Sequence, residues 1–129
     1  MGLENRLKSK VGLLSGGQRQ ALTLLMATMI TPKLLLLDEH TAALDPATAD
    51  KVLTLTEKIV AAGQITTMMI THNIASALTL GNRTVMMNNG QIILDISGEE
   101  RTKMTVPQLL ELFKEKSQVT LDDDRILLA

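Results

Sequence analysis

Two short apolar runs, separated by one amphipathic segment, constrain the fold of this chain most strongly. Residues 34–38 have the sequence Leu-Leu-Leu-Leu-Asp, and residues 65–71 are β-branched and rich in methionine. The first run is typical of a strand covered on both faces, as in a parallel sheet, and the second run also predicts a strand. Between them, Asp45-Pro46 supplies a cap and a first-turn proline for a helix that Gly63 ends. The order strand, helix, strand predicts α/β architecture.

Two further helices are predicted next to these runs. Ser15 caps a helix over residues 18–30, which Thr31-Pro32 ends. A short helix that starts at about Ile74 ends at Gly81. In the sequence, the first of these helices precedes the two apolar runs and the second follows them.

The C-terminal part of the chain is predicted to form a hairpin and a helix. Asn88-Asn89-Gly90 separates apolar runs at 84–87 and 91–96, and Asn-Gly between such runs predicts antiparallel strands. Residues 105–108 resemble a capping box that opens a helix. Three aspartates at 122–124 are expected to start a polar, solvated tail.

Composition argues against several classes of function. Thirteen Lys and Arg against fourteen Asp and Glu give a formal net charge of −1, and the chain has one aromatic residue, Phe113. Nucleic-acid binding therefore has no electrostatic or stacking support. The absence of cysteine excludes a disulfide framework and a thiolate metal site. We expect no export signal, and the longest apolar runs are far below the about 18 residues of a membrane span.

The segment Leu14-Ser15-Gly16-Gly17-Gln18 places two glycines at the start of a helix. Glycines let an anion approach the backbone, and the free N–H groups and helix dipole there favour phosphate. A serine N-cap with glycine hinges is the alternative interpretation.

Acidic and imidazole side chains follow the two apolar runs. Asp38 and Glu39 end the first run, and His72 ends the second. If the strands are parallel, these groups share the carboxyl edge of the sheet, where α/β proteins bind ligands. The alternatives are two solvated acids at a strand end and a structural histidine.

These segments, taken in order with Ala43-Leu44-Asp45 and the Met-Met-Ile-Thr-His-Asn run at 68–73, resemble the second half of the ATPase domain of ABC proteins. The resemblance implies the C-terminal half of a P-loop NTPase domain, with a mainly parallel sheet, flanking helices and a terminal β-hairpin. It divides the chain into the end of a helical subdomain with the signature motif (1–31), a core from the Walker B strand to the switch histidine and hairpin (32–104), and a C-terminal helix and tail (105–129).

The resemblance also implies roles for individual residues. The signature residues would bind ATP held by an opposing subunit: Ser15, Gly16, Gly17 and Gln18. Asp38 would hold Mg²⁺ through water, and Glu39 would orient or deprotonate the attacking water. His72 would contact the γ-phosphate, and Asp45, in the D-loop, would couple the two sites.

No phosphate-binding loop of the Gly-x-x-x-x-Gly-Lys-Ser/Thr type occurs in the sequence, because Gln18-Arg19 follows the spaced glycines 12 and 17. The resemblance implies ATP binding and hydrolysis by the energy-coupling subunit of an ABC transporter, while the isolated 129-residue chain is predicted to be inactive. Two alternatives remain: a non-catalytic truncated fragment that acts through partner packing, and an SMC-like ATPase of DNA maintenance.

The implied partners are a second ATPase subunit in a two-fold dimer, transmembrane permease subunits and, for importers, a substrate-binding protein, with no nucleic acid. The implied location is cytoplasmic, at the inner face of the membrane. The run at 19–25 and the Asp-Glu-His-Thr segment look similar to bacterial importers of amino-acid-type substrates. His40 stands where this family usually has proline, and we interpret it as a tolerated variation.

Overall fold

A computed structural model describes the backbone of residues 1–128 and the side chains of residues 1–118. The chain forms two compact units, Met1–His72 and Asn73–Ala129. The first unit has 3₁₀ turns at Leu3–Asn5 and Val11–Leu13, followed by α1 (Gly16–Thr28), β1 (Leu34–Asp38), α2 (Pro46–Gly63) and β2 (Thr66–Ile70). The second unit contains α3 (Ile74–Thr79), β3 (Arg83–Asn88), β4 (Gln91–Ser97), α4 (Gly98–Lys103) and α5 (Val106–Leu128). The predicted α/β class is confirmed, whereas the three-part division of the domain remains a prediction.

In the first unit, β1 and β2 form a two-stranded parallel sheet. The register runs from Leu34 opposite Thr66 to Asp38 opposite Ile70. Both strands therefore end at the same edge of the sheet, as the sequence predicts.

This sheet is buried on one face only. Leu35 and Leu37 are buried and pack with side chains of α1 and α2 in one cluster, which includes Leu24, Leu55, Ile59, Val60 and Ile65. Leu34 and Leu36, which point the other way, are 52% and 66% exposed. The expectation that the first apolar run is covered on both faces is therefore wrong for the described residues, because α1 and α2 pack against the same face.

The end of α2 differs in detail from the prediction. Gly63 is the last helical residue, and the left-handed cap is Gln64, with φ of 48°. A Cβ on Gly63 would lie 2.9 Å from Cγ1 of Ile65, which is closer than real Cβ contacts allow. Glycine is therefore required here because the chain turns back directly towards β2.

The second unit is a hairpin packed against helices. β3 and β4 pair antiparallel, and Asn89 and Gly90 have φ of 48° and 75°, as a type I′ turn requires. The core contains Leu94, Ile96 and Leu109. The predicted capping box at the start of α5 is confirmed, since the Thr105 N–H and Gln108 Oε1 lie 3.0 Å apart.

Two helical segments in this unit were not expected. α4 consists mainly of charged and polar residues and has no apolar periodicity that would predict it. The backbone of α5 continues to Leu128, so residues 122–124 are helical instead of starting a tail. The side chains of these aspartates lie outside the described residues, so their predicted solvation stays a prediction. In the described part of the chain, no helix has the length and apolar character needed to cross a membrane.

Candidate functional site

Glu39 and His72 meet at the carboxyl edge of the parallel sheet. Glu39 directly follows β1, and His72 follows β2 by two residues. The His72 Nε2 lies 2.7 Å from Glu39 Oε1, with the His72 side chain 86% exposed and the Glu39 side chain 34% exposed. The fold therefore joins two of the predicted catalytic side chains where solvent reaches both.

The backbone of Glu39 is held in an unusual conformation. Its φ is 48°, a left-handed value that costs a non-glycine residue about 1–2 kcal/mol. Its N–H donates to the Ile70 carbonyl at 2.9 Å, and its carbonyl accepts from the Ala42 N–H at 3.1 Å. Strain of this kind persists where surrounding contacts determine the conformation, as at functional sites.

Asp38 is the exposed last residue of β1. Mg²⁺ prefers oxygen ligands and usually takes one or two carboxylates together with substrate phosphates and water. Among the residues that the structure describes, no group of three or more His, Cys, Asp or Glu side chains could hold a metal ion. Asp38 therefore fits the role of the single carboxylate in a Mg²⁺ site whose other ligands are substrate phosphates and water.

The signature residues form a capping box at the start of α1. Gln18 N–H donates to Ser15 Oγ at 3.2 Å, and Ser15 N–H donates to Gln18 Oε1 at 3.1 Å. These two side chains line an open cavity of about 400 Å³ together with Met1, Gly2, Thr48 and Lys51. The N-cap interpretation of Ser15 is therefore confirmed, and the residue also lines the open cavity.

The two signature glycines allow a close approach by the next motif. A Cβ on Gly16 would lie 3.2 Å from Cδ2 of Leu44, and a Cβ on Gly17 would lie 2.2 Å from Cγ2 of Thr48. The second distance is far too short for a real contact. Gly17 is therefore required by packing within this chain, whatever ligand its backbone meets.

Asp45 caps α2 at the turn that packs on Gly17. Its carboxylate accepts from the Thr48 N–H at 3.0 Å. Hydrogen bonds from the Thr48 hydroxyl and N–H lower the pKa of Asp45 below its ordinary value. The cap therefore fixes the first turn of α2, where the Thr48 methyl group packs against Gly17.

We expect Gly17→Ala to lower the free energy of unfolding by about 1–3 kcal/mol, the usual cost of overpacking. Thr48→Ser removes the methyl group and keeps the hydroxyl, so the double variant should recover most of the loss. Gly12→Ala is the matched control, because nothing lies within 4 Å of its added Cβ. Denaturant unfolding measures the stability of the wild type, Gly17→Ala, the double variant and Gly12→Ala. Equal stability of Gly17→Ala and Gly12→Ala would contradict the contact between Gly17 and Thr48.

His40 makes a contact that the sequence interpretation missed. Its Nε2 lies 3.0 Å from Oγ1 of Thr56, a residue of α2, while the interpretation of His40 as a tolerated variation stays a prediction. The two residues are 16 positions apart, and no sequence pattern connects them. Only the return of α2 over the end of β1 brings them together.

Known proteins resemble this chain in sequence and in fold. A family model described as ABC transporter matches residues 1–42. The chain is 49% identical over 114 residues to a tyrosine transport ATP-binding protein of Clostridioides difficile, covering 88% of this chain. It is 38% identical over 133 residues to a methionine import ATP-binding protein of Bacillus subtilis, covering 95% of this chain. A solved structure of an ATP-binding cassette of an ABC transporter superposes with a TM-score of 0.72 at 32% identity, covering 86% of this chain.

The chain spans less than half the length of these relatives. It covers 45% of the tyrosine transport protein, 39% of the methionine import protein and 44% of the solved cassette. The matches in sequence and fold agree on one type of domain. In sequence and in fold, this chain therefore matches part of the ATP-binding domain of ABC transporters.

Proposed function

We propose that this chain supplies water-activating and signature residues to an ATPase that is the energy-coupling subunit of an ABC transporter. One observation carries the proposal: the 2.7 Å contact between Glu39 Oε1 and His72 Nε2 at the edge where both strands end. A carboxylate held in this way can orient an attacking water or accept its proton.

The geometry leaves Glu39 able to act on water. Its carboxylate accepts one hydrogen bond from the His72 N–H and retains further lone pairs for a water molecule. His72 is exposed, so its ring is open to contact with a γ-phosphate. Asp38 would hold Mg²⁺, which neutralises phosphate charge when bound.

The other proposed contacts involve a second subunit. Ser15 and Gln18 face an open cavity at the start of α1, where helix N–H groups favour phosphate. We infer that the signature segment closes over ATP held by a partner in a two-fold dimer, and that Asp45 couples the two sites. Permease subunits would anchor the dimer at the inner face of the membrane.

The relatives support a transporter over an SMC-like ATPase. Two of them are named as tyrosine transport and methionine import proteins. We therefore propose import of an amino-acid-type substrate delivered by a substrate-binding protein. Because residues 1–129 contain no phosphate-binding loop, we expect turnover in the full-length subunit and none from the 129-residue polypeptide alone.

The proposal is tested by breaking the pair with His72→Ala in the full-length subunit. Loss of a hydrogen bond to a charged group costs about 1.5–3 kcal/mol, so we expect kcat for ATP to fall by about ten- to a hundredfold. Lys58→Ala, at an exposed position on α2, is the control and should keep full activity. Steady-state ATPase assays measure both, and equal kcat values for the two variants would refute the role of the pair.

A further inference from the structure

The His40 side chain ties the residue after Glu39 to α2. His40 Nε2 lies 3.0 Å from Thr56 Oγ1, and Thr56 Oγ1 lies 2.8 Å from the Val52 carbonyl. Thr56 is only 6% exposed. The contact is therefore a partly buried tether between the loop after β1 and the middle of a long helix.

The direction of each hydrogen bond follows from the number of protons. A threonine hydroxyl has one proton, and the Val52 carbonyl can only accept, so the hydroxyl donates to the carbonyl. Thr56 Oγ1 must then accept from His40, which requires a proton on Nε2. The two distances therefore place the proton of the neutral ring on Nε2.

This tether holds the chain immediately after the strained residue. On one side, the Glu39 N–H is bound to the Ile70 carbonyl of β2. On the other side, His40 is bound to α2. Relaxing the left-handed φ of Glu39 would turn the following residue away from α2 and break the second attachment.

We propose that His40 is a positioning residue that holds Glu39 in its left-handed conformation through the hydrogen bond to Thr56. The carboxylate of Glu39 is thereby kept at the distance that His72 requires. The effect on turnover rests on the proposed function, whereas the hydrogen bond itself does not.

The chain offers a matched set of variants for this test. Thr56→Val keeps the shape of the side chain and removes the hydroxyl that accepts from His40. Thr56→Ser keeps that hydroxyl. Thr54→Val is the control, because Thr54 is exposed and makes the same bond to the carbonyl four residues earlier, at 2.8 Å from Asp50 O. If Thr56→Val does not fold, His40→Leu removes the donor and His40→Gln restores an amide donor at similar reach.

In the full-length subunit, we expect Thr56→Val and His40→Leu to lower kcat for ATP about three- to tenfold with KM unchanged. Thr56→Ser, His40→Gln and Thr54→Val should stay near the wild-type kcat. A common kcat for Thr56→Val and Thr54→Val would overturn the positioning role. If Glu39→Gln hydrolyses ATP like the wild type, the proposed function fails instead, so the two failures are distinguishable.

A second measurement does not depend on activity. Long-range ¹H–¹⁵N spectra of histidine-labelled protein, with His40 assigned by its loss in His40→Gln, report which ring nitrogen carries the proton. We expect the neutral ring of His40 to be protonated on Nε2 in the wild type and in Thr56→Ser, and to lose this preference in Thr56→Val. Protonation on Nδ1 in the wild type would overturn the tether.

Discussion

Replacement of Glu39 by glutamine is expected to abolish most ATP hydrolysis in the full-length subunit while ATP binding is retained. The amide has the size of the carboxylate, and its oxygen can still accept from the His72 N–H, which lies 2.7 Å away. The strained backbone of Glu39 should therefore keep its conformation. An amide cannot take a proton from water, however, and a general base contributes about 10²- to 10⁴-fold to rate.

The measurement compares single-turnover hydrolysis with equilibrium binding of ATP. Glu57→Gln makes the same chemical change at an exposed position of α2 and should match the wild type in both assays. Hydrolysis by Glu39→Gln within a few-fold of the control would exclude Glu39 as the base. A parallel loss of ATP binding would indicate a structural defect in place of a chemical one.

Local signals in the sequence predict the parts of the fold that are determined locally. The strand at Leu34–Asp38 is found with its predicted bounds, and the Asn89-Gly90 turn and Ser15 cap are where their residue types require them. Each of these features depends on side chains within about four positions, which is the range of turns and caps.

Contacts between distant segments were not predictable in this way. The packing of Thr48 on Gly17 joins residues 31 positions apart, whereas the sequence assigns that glycine either to anion binding or to a hinge after the cap. The sequence interpretation of His40 compares it with the proline usual in the family, and its partner Thr56 on α2 lies in no motif that would reveal the contact. The pairing of Glu39 with His72 was accessible only because parallel strands share an edge, which is a rule about topology and not about sequence spacing.

The exposed face of the parallel sheet predicts the behaviour of the 129-residue polypeptide. Leu34, Leu36, Met68 and Ile70 are 52%, 66%, 61% and 52% exposed, and their strands are in register, so they form one apolar face. Within the described residues, β1 and β2 pair only with each other, so each leaves an unpaired edge. The residues of β2 include no charge and no proline, and an apolar face beside such an open edge favours association with another chain.

We therefore expect the purified 129-residue polypeptide to self-associate, with a weight-average mass that rises with concentration in static light scattering. Leu36→Thr with Met68→Thr should suppress this rise, because threonine keeps strand propensity while it removes apolar area from the centre of the face. The matched control is Val85→Thr with Ile92→Thr, which changes two hairpin side chains that are 42% and 62% exposed; it should associate like the wild type, because neither residue lies on the parallel sheet. A wild-type polypeptide that stays monomeric at every concentration would show that this face does not drive association. Equal suppression by both double variants would instead attribute association to general apolar exposure, contradicting a specific role for the parallel sheet.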